Sequence, residues 1–186
     1  MRKNKMIAFT AIAITLGAIT LHSCTKLASL LNFNLGMQTE SVNITIPITT
    51  DTSLITVGPA TNSYNVDSFI KASTGNQLGE ANITNVKLAS VLFTLNNADS
   101  VNNFADFESV SASFSSNTNT TPYTINIANN PDVYAATLSL PVDTTVQLKT
   151  YLGNQFTYSV SGKLRRPTTK PLNCTVTFTF NVAVQG

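Results

Sequence analysis

Few residues in this chain have side chains that act as nucleophiles, bases or metal ligands. The only histidine is His22, and the only cysteines are Cys24 and Cys174. Ser-His and Cys-His catalysis needs an imidazole beside the nucleophile, and most zinc sites need histidine or several cysteines. Asp106 and Glu108 are two residues apart, so in a strand they share a face and form a candidate pair for acid/base work or calcium binding. Since no third acidic residue lies nearby in sequence, we interpret both as solvated charges on a strand.

The N-terminal segment removes His22 from consideration. Three basic residues lie within the first five positions, and an apolar segment at 6–21, interrupted by threonines and a glycine, follows them. This pattern is typical of a secretory signal rather than of a durable transmembrane helix. Without residues 1–23 the chain has no histidine, and Cys174 has no disulfide partner if Cys24 is modified. The sequence therefore predicts a protein that is not an enzyme and that holds no cofactor and no metal.

The end of this signal has a recognisable pattern. Leu21, Ser23 and Cys24 resemble the lipobox of bacterial lipoproteins, while His22 departs from the small or aliphatic residue usual at its position. In that family the cysteine sulfur receives a diacylglycerol, the signal is cut before it, and the new amino group is acylated. The resemblance implies a signal peptide at 1–23 and a lipidated cysteine with its tether at 24–30. Each buried methylene contributes about 0.8 kcal/mol, so two or three acyl chains make a lasting anchor. The alternative is an ordinary signal peptide that leaves Cys24 free.

The Asn/Thr/Ser-rich remainder is similar in style to uncharacterised β-rich lipoproteins of the Bacteroidota. In that group, surface-exported lipoproteins often carry acidic residues directly after the lipidated cysteine, whereas Thr25-Lys26-Leu27 follows Cys24 here. The resemblance implies an outer-membrane anchor, with the domain facing the periplasm rather than the cell surface. Asp99-Ser100-Val101 also matches the short O-glycosylation signal of that group, which makes Ser100 a candidate modification site. A chance match of three residues is the alternative.

Charge excludes one class of partner. Of the 11 Lys and Arg residues, three precede Cys24, so the mature chain has slightly fewer basic residues than its nine acidic ones. This balance predicts no nucleic-acid binding. Four basic residues nevertheless cluster around Pro167 and Pro171: Lys163, Arg165, Arg166 and Lys170. They form a candidate contact for lipid phosphates or an acidic partner, or they are a solvated loop tip.

Hydrophobic periodicity predicts the elements that carry these residues. Regular apolar/polar alternation indicates about eight strands and no long helix in residues 31–186, which favours an all-β antiparallel β-sandwich, with a barrel as the alternative. Pro47 makes the strand at 42–48 an edge strand or ends it. The last two strands are expected to form a hairpin around the basic cluster. Two short helices are predicted at 66–72, capped by Asn65 or Asp67, and at 144–152, with a capping box from Thr144 to Gln147.

Three functions remain open for such a domain. The first is a membrane-anchored, non-enzymatic binding or scaffold module for a protein or lipid ligand that uses the 42–48 edge or the loops at one end. The second is a carrier of a hydrophobic ligand, with a cleft lined by Phe69, Phe93, Phe156 and Phe178. The third is a glycan-binding surface protein, which requires exposed tyrosines because tryptophan is absent. The candidate tyrosines are Tyr123, Tyr134, Tyr151 and Tyr158.

Overall fold

A computed structural model describes residues 31–39 and 41–186 of the chain. The predicted signal peptide, the lipidated Cys24 and the tether lie outside the described residues. No helix in the described ranges is long and apolar enough to cross a membrane.

Within the described residues, nine antiparallel strands form two sheets that pack against each other, which confirms the predicted β-sandwich. The first sheet has the order β1-β9-β4-β7, and β2 pairs with the part of β9 that β1 leaves free. The second sheet has the order β3-β8-β5-β6. The strands are β1 (Asn32–Gln38), β2 (Val42–Ile46), β3 (Leu54–Ser63), β4 (Ile83–Leu95), β5 (Phe107–Ser116), β6 (Tyr123–Ile127), β7 (Thr137–Leu140), β8 (Gln155–Leu164) and β9 (Leu172–Gln185).

Alternation along the strands builds the core. In β9 every second residue from Leu172 to Val184 is buried, while the threonines between them face outward. Side chains of a strand point alternately to its two faces, so this pattern turns one whole face of β9 toward the second sheet. An aromatic cluster fills the centre of the sandwich. The ring of Phe114 in β5 lies 5.3–5.8 Å, centroid to centroid, from the rings of Tyr123, Tyr151, Phe178 and Phe180.

One predicted connection between strands was wrong. β8 and β9 do not form a hairpin, because they belong to different sheets and residues 165–171 cross between them. Both strands bury one face in the same core from opposite sides, so their alternation alone cannot reveal this. β3 passes through Gly58-Pro59 and reaches Ser63, with a shift in its register with β8 between Val57 and Ala60. β2 is an edge strand that ends at Ile46, directly before Pro47, as predicted.

One of the two predicted helices is present. Helix α1 (Val66–Ser73) begins after Asn65, whose side-chain oxygen accepts the N–H of Ser68 at 2.8 Å. The second predicted helix, at 144–152, was wrong: only a 3-10 turn forms there, at Lys149–Tyr151.

Gln147 explains the missing helix. Its side-chain oxygen accepts the backbone N–H of Val86 in β4 at 2.9 Å, instead of closing a capping box with Thr144. The N–H of Leu148 donates to the carbonyl of Val86 at 2.8 Å. The segment is therefore fixed to β4 as a series of turns rather than as an α-helix.

The strand directions give the domain two distinct ends. Four connections lie together at one end, which we call the loop end: residues 47–53, 96–106, 128–136 and 165–171. The opposite end, the α1 end, holds α1 and Leu31, whose carbonyl accepts the N–H of Gly186. A 14-residue strand such as β9 spans about 45 Å at 3.3 Å per residue. The described chain thus begins about one domain length from the loop end.

Candidate functional site: the loop end of the sandwich

The loop end carries most of the exposed apolar side chains of the described residues. In the described residues, six large apolar side chains are exposed: Ile48, Leu54, Val101, Val133, Tyr134 and Leu92. All but Leu92 belong to the four connections or to the first residue of β3. Scattered exposed apolar residues need no explanation, but their concentration at one end makes that end the candidate binding region.

The connection 165–171 holds the other three connections in place. Thr168 exchanges hydrogen bonds with the backbone of Thr49, in both directions at 3.1 Å. The side-chain oxygen of Asn102 accepts the N–H of Thr169 at 2.9 Å. The guanidinium of Arg165 donates to the carbonyl of Asn130 at 2.7 Å. Hydrogen bonds therefore join the four connections of the loop end into one unit.

Arg166 is the most highly paired side chain of this unit. Its Nε donates to Oδ1 of Asp106 at 3.0 Å, its Nη1 donates to Oδ2 of Asp132 at 3.0 Å, and its Nη2 donates to the carbonyl of Ala105 at 3.0 Å and to Asp132. The guanidinium thus binds one carboxylate through two nitrogens, which fixes its plane. Hydrogen bonding from Arg166 holds the pKa of Asp132 below its usual range, and the two carboxylates raise the pKa of Arg166.

The predicted basic cluster consists of paired charges. Besides Arg165 and Arg166, Lys163 lies 2.6 Å from Glu108, and Lys170 contacts Asp99. Hydrogen bonds from Lys170 and from the backbone N–H groups of Asn102 and Val101 hold the pKa of Asp99 below its usual range. Four basic residues therefore face four carboxylates. Contact of Lys163, Arg165, Arg166 and Lys170 with an anionic partner stays a prediction, and these pairings weigh against it.

Asp106 differs from the interpretation as a solvated strand charge. It ends the 3-10 turn Phe104–Asp106, before β5, and only 2% of the residue is exposed. Its Oδ2 accepts the N–H of Asn103 at 3.0 Å, and Oδ1 accepts from Arg166. A buried charge needs such partners, and this carboxylate uses them to join the connections 96–106 and 165–171 by hydrogen bonds. Glu108, in β5, is half exposed and fits the prediction.

Ser100 lies at the tip of a turn in the connection 96–106. The carboxylate of Asp99 accepts the N–H groups of Val101 and Asn102 at 2.9 and 2.7 Å, which fixes the turn. Ser100 itself is exposed. Its O-glycosylation stays a prediction, and the accessible position is compatible with it.

An open pocket of about 370 Å³ lies among these residues. Its wall includes the exposed residues Ser100, Val101 and Tyr134 and the ion pair of Asp132 with Arg166. The sequence indicated Tyr134, Arg166 and Ser100 as separate candidates, and it gave no sign that they line one pocket. Asp132 was missed, because an isolated Asp in an Asn/Pro-rich turn has no distinguishing signal in the sequence.

The other candidate tyrosines lie wholly or partly in the core. Tyr158 is buried, and Tyr123 and Tyr151 pack against Phe114 in the aromatic cluster. Tyr134 is the exposed one of the four, at 58%.

The interior of the sandwich offers little room for a hydrophobic ligand. Two apolar cavities between the sheets measure about 20 and 10 Å³, so neither has room for more than about one water molecule. Phe93, Phe156 and Phe178 are buried in the core, whereas Phe69 lies partly exposed on α1. This packing counts against the carrier hypothesis.

The remaining reactive group is Cys174. It is buried in β9, and burial raises its pKa to about 12. A thiol with so high a pKa is inert near neutral pH. Within residues 31–39 and 41–186, no three His, Cys, Asp or Glu side chains are grouped to hold a metal ion.

Comparison with known proteins identifies no family for this chain. No protein-family model matches the chain, and no curated protein matches it. A structure of infectious bursal disease virus, Gt strain, is similar with a TM-score of 0.37 and 9% identity. The match covers 82% of this chain and 33% of the viral chain. Structures of Desmodium yellow mottle tymovirus and turnip yellow mosaic virus have TM-scores of 0.29 and 0.31, with 12% and 13% identity. Both likenesses cover 84% of this chain, and 90% and 94% of the other chains. Likenesses this weak carry no functional argument.

Proposed function

We propose that this protein is a lipid-anchored, non-enzymatic binding module of the bacterial cell envelope that presents its loop end away from the membrane. The observation that carries this proposal is the separation of the two ends. The described chain begins at Leu31 on the α1 end, and five of the six exposed large apolar side chains are at the loop end. The anchor itself rests on the lipobox resemblance of Cys24.

Geometry supports this orientation once an anchor is assumed. The seven residues 24–30 reach about 25 Å when fully extended. The loop end lies about 45 Å beyond Leu31, the length of β9. The tether is therefore too short to bring its own lipid to the loop end while the domain stands upright. Neighbouring molecules of the periplasm, rather than the anchoring membrane, are the partners that meet the loops.

Binding without catalysis is supported by the chemistry of this end. The ionised groups near the pocket pair with one another, and the hydrogen bonds of the connection 165–171 hold the loops rigid. A rigid surface loses little conformational entropy on binding, which favours affinity.

Intact-mass spectrometry of the protein extracted from native membranes tests the anchor. We expect cleavage before Cys24 and a mass increase that corresponds to a diacylglycerol and one further acyl chain. The control is Cys24→Ser, which should lack the acyl mass. Cleavage without acylation in the natural chain would refute the anchor.

Fluorescence energy transfer tests the orientation. The acylated protein is placed in vesicles that contain an acceptor lipid, and a donor dye is attached at Val133→Cys on the loop end or at Ser68→Cys on α1. Cys174 does not interfere, because it is buried with a raised pKa. We expect clearly lower transfer from position 133 than from position 68. Equal transfer from both positions would refute the proposed orientation.

A further inference from the structure

The segment that carries Val133 and Tyr134 is held rigidly, with both side chains outward. The amide of Asn130 donates to the carbonyls of Phe104 and Phe107, and the carbonyl of Ala135 accepts the N–H of Phe104 at 2.9 Å. Val133 and Tyr134, between these fixed points, are 68% and 58% exposed. The fold gains nothing from keeping an aromatic ring in water, so the ring is available to an external ligand.

Tyr134 borders the open pocket at the loop end. This pocket measures about 370 Å³ and is widely open to solvent, so it does not enclose a ligand. The exposed ring of Tyr134 is part of its lining, and the pocket can admit the end or the side of a longer molecule.

The lining of the same pocket also offers polar groups. The carboxylate of Asp132 is half exposed and is oriented by two nitrogens of Arg166. Each carboxylate oxygen has a second lone pair, so Asp132 can accept further hydrogen bonds without releasing Arg166. The exposed hydroxyl of Ser100 adds a group that both donates and accepts.

Charge decides the class of ligand. Two carboxylates, Asp106 and Asp132, and the guanidinium of Arg166 line the pocket. The guanidinium of Arg165 lies outside the lining, 3.8 Å from Asp132. The formal charges of these four groups cancel, so the site has no net charge that would favour a phosphate or a cation. A neutral molecule with one apolar face and several hydroxyl groups matches the ring, the carboxylate and the absence of net charge. A pyranose sugar has this combination.

We propose that the loop-end pocket binds an uncharged carbohydrate, with the apolar face of one sugar ring on Tyr134 and its hydroxyl groups on Asp132 and Ser100. This inference deepens the proposed function, on which it rests for the presentation of the pocket to the cell envelope. The sugar-binding step itself needs no lipid anchor.

The test is ligand-observed saturation-transfer NMR followed by isothermal titration calorimetry on the full chain in detergent. The probes are cellotetraose, maltotetraose and chitotetraose. We expect at least one to bind, and Tyr134→Ala to weaken that binding about tenfold, because the stacking surface is lost. Tyr134→Phe keeps the ring and should bind within about twofold of the natural chain. Since Tyr134 is exposed, neither substitution should impair folding, which a urea titration verifies.

Tyr64→Ala is the matched control. Tyr64 lines another open, polar pocket, together with Asn65, Asn154 and Gln155, near the start of α1. Binding that survives Tyr64→Ala and is weakened by Tyr134→Ala supports the proposal. Binding lost in Tyr64→Ala alone, or no binding of any of the three probes, overturns it.

The two proposals fail in different ways. Absence of sugar binding leaves the acyl mass and the orientation at the membrane unaffected. A chain without acyl groups that still binds a tetrasaccharide through Tyr134 refutes the anchor and leaves the carbohydrate site standing.

Discussion

Removal of the Asp106 carboxylate should destabilise the domain much more than removal of the Glu108 carboxylate two residues away. Asp106→Ala leaves the N–H of Asn103, a residue only 4% exposed, without its acceptor. An unsatisfied buried donor costs about 1–3 kcal/mol. The lost contact with Arg166 adds at most about 1 kcal/mol, because that side chain is 46% exposed and keeps Asp132. We expect Asp106→Ala to lower the free energy of unfolding by about 3 kcal/mol.

Glu108→Ala is the matched comparison. Its ion pair with Lys163 is short, at 2.6 Å, but the two side chains are 43% and 50% exposed. Exposed pairs of this kind contribute about 0–1 kcal/mol. The two variants therefore test whether burial or a short ion-pair distance determines the loss of stability. The shorter ion pair is the exposed one, and its loss is expected to cost less.

Urea unfolding followed by circular dichroism measures the difference. With a slope of about 2 kcal/mol per molar urea, Asp106→Ala should shift the midpoint down by about 1.5 M and Glu108→Ala by less than about 0.5 M. Asp106→Asn restores one of the two acceptor contacts and should recover roughly half of the loss. Equal midpoints for Asp106→Ala and Glu108→Ala, at unchanged slope, would refute the stabilising role of the buried Asp106 carboxylate.

Three further outcomes are expected. Phe114→Ala should cost about 3–5 kcal/mol in urea unfolding, since it empties the centre of the aromatic cluster; a loss below about 1 kcal/mol would contradict this packing. The thiol of Cys174, with its pKa raised to about 12, should react with a disulfide reagent at pH 8 only as fast as the domain unfolds; rapid labelling of the folded protein would contradict its burial. The lowered pKa of Asp99 contributes stability that is complete above about pH 4 and is lost as the pH falls further. Asp99→Asn should therefore make the urea midpoint depend less on pH below about pH 4. An unchanged dependence in that range would contradict the pairing with Lys170.

Sequence periodicity predicted the β-sandwich because alternation reports burial, and burial is a local property of each strand. β9 shows this most clearly: its buried face was evident, whereas its partners β1, β2 and β4 lie far away in sequence. The predicted hairpin of β8 and β9 was wrong for that reason. Gln147 gives a second example, since a capping box is a local motif and the hydrogen bond to Val86 is a long-range alternative.

The loop-end pocket was harder to predict than the fold. Arg166 was named from its position in a basic cluster, but the carboxylates that neutralise it come from two other connections. Asp106 and Glu108 look equivalent in sequence, and only the turn Phe104–Asp106 distinguishes the buried carboxylate from the exposed one. Such groupings depend on which loops meet at one end of the sandwich, and local patterns contain no information on that point.

The position of β9 in the chain has a consequence for biosynthesis. β9 is the last strand in chain order, yet it is the hydrogen-bonding partner of β1, β2 and β4. Thr39 and Phe178, which are hydrogen bonded, are 139 positions apart. Pairings of such long range form slowly, and most of the first sheet cannot assemble until residues 172–185 have left the ribosome. Until those residues have emerged, the strands of the first sheet lack their partner, and their core side chains are exposed to aggregation.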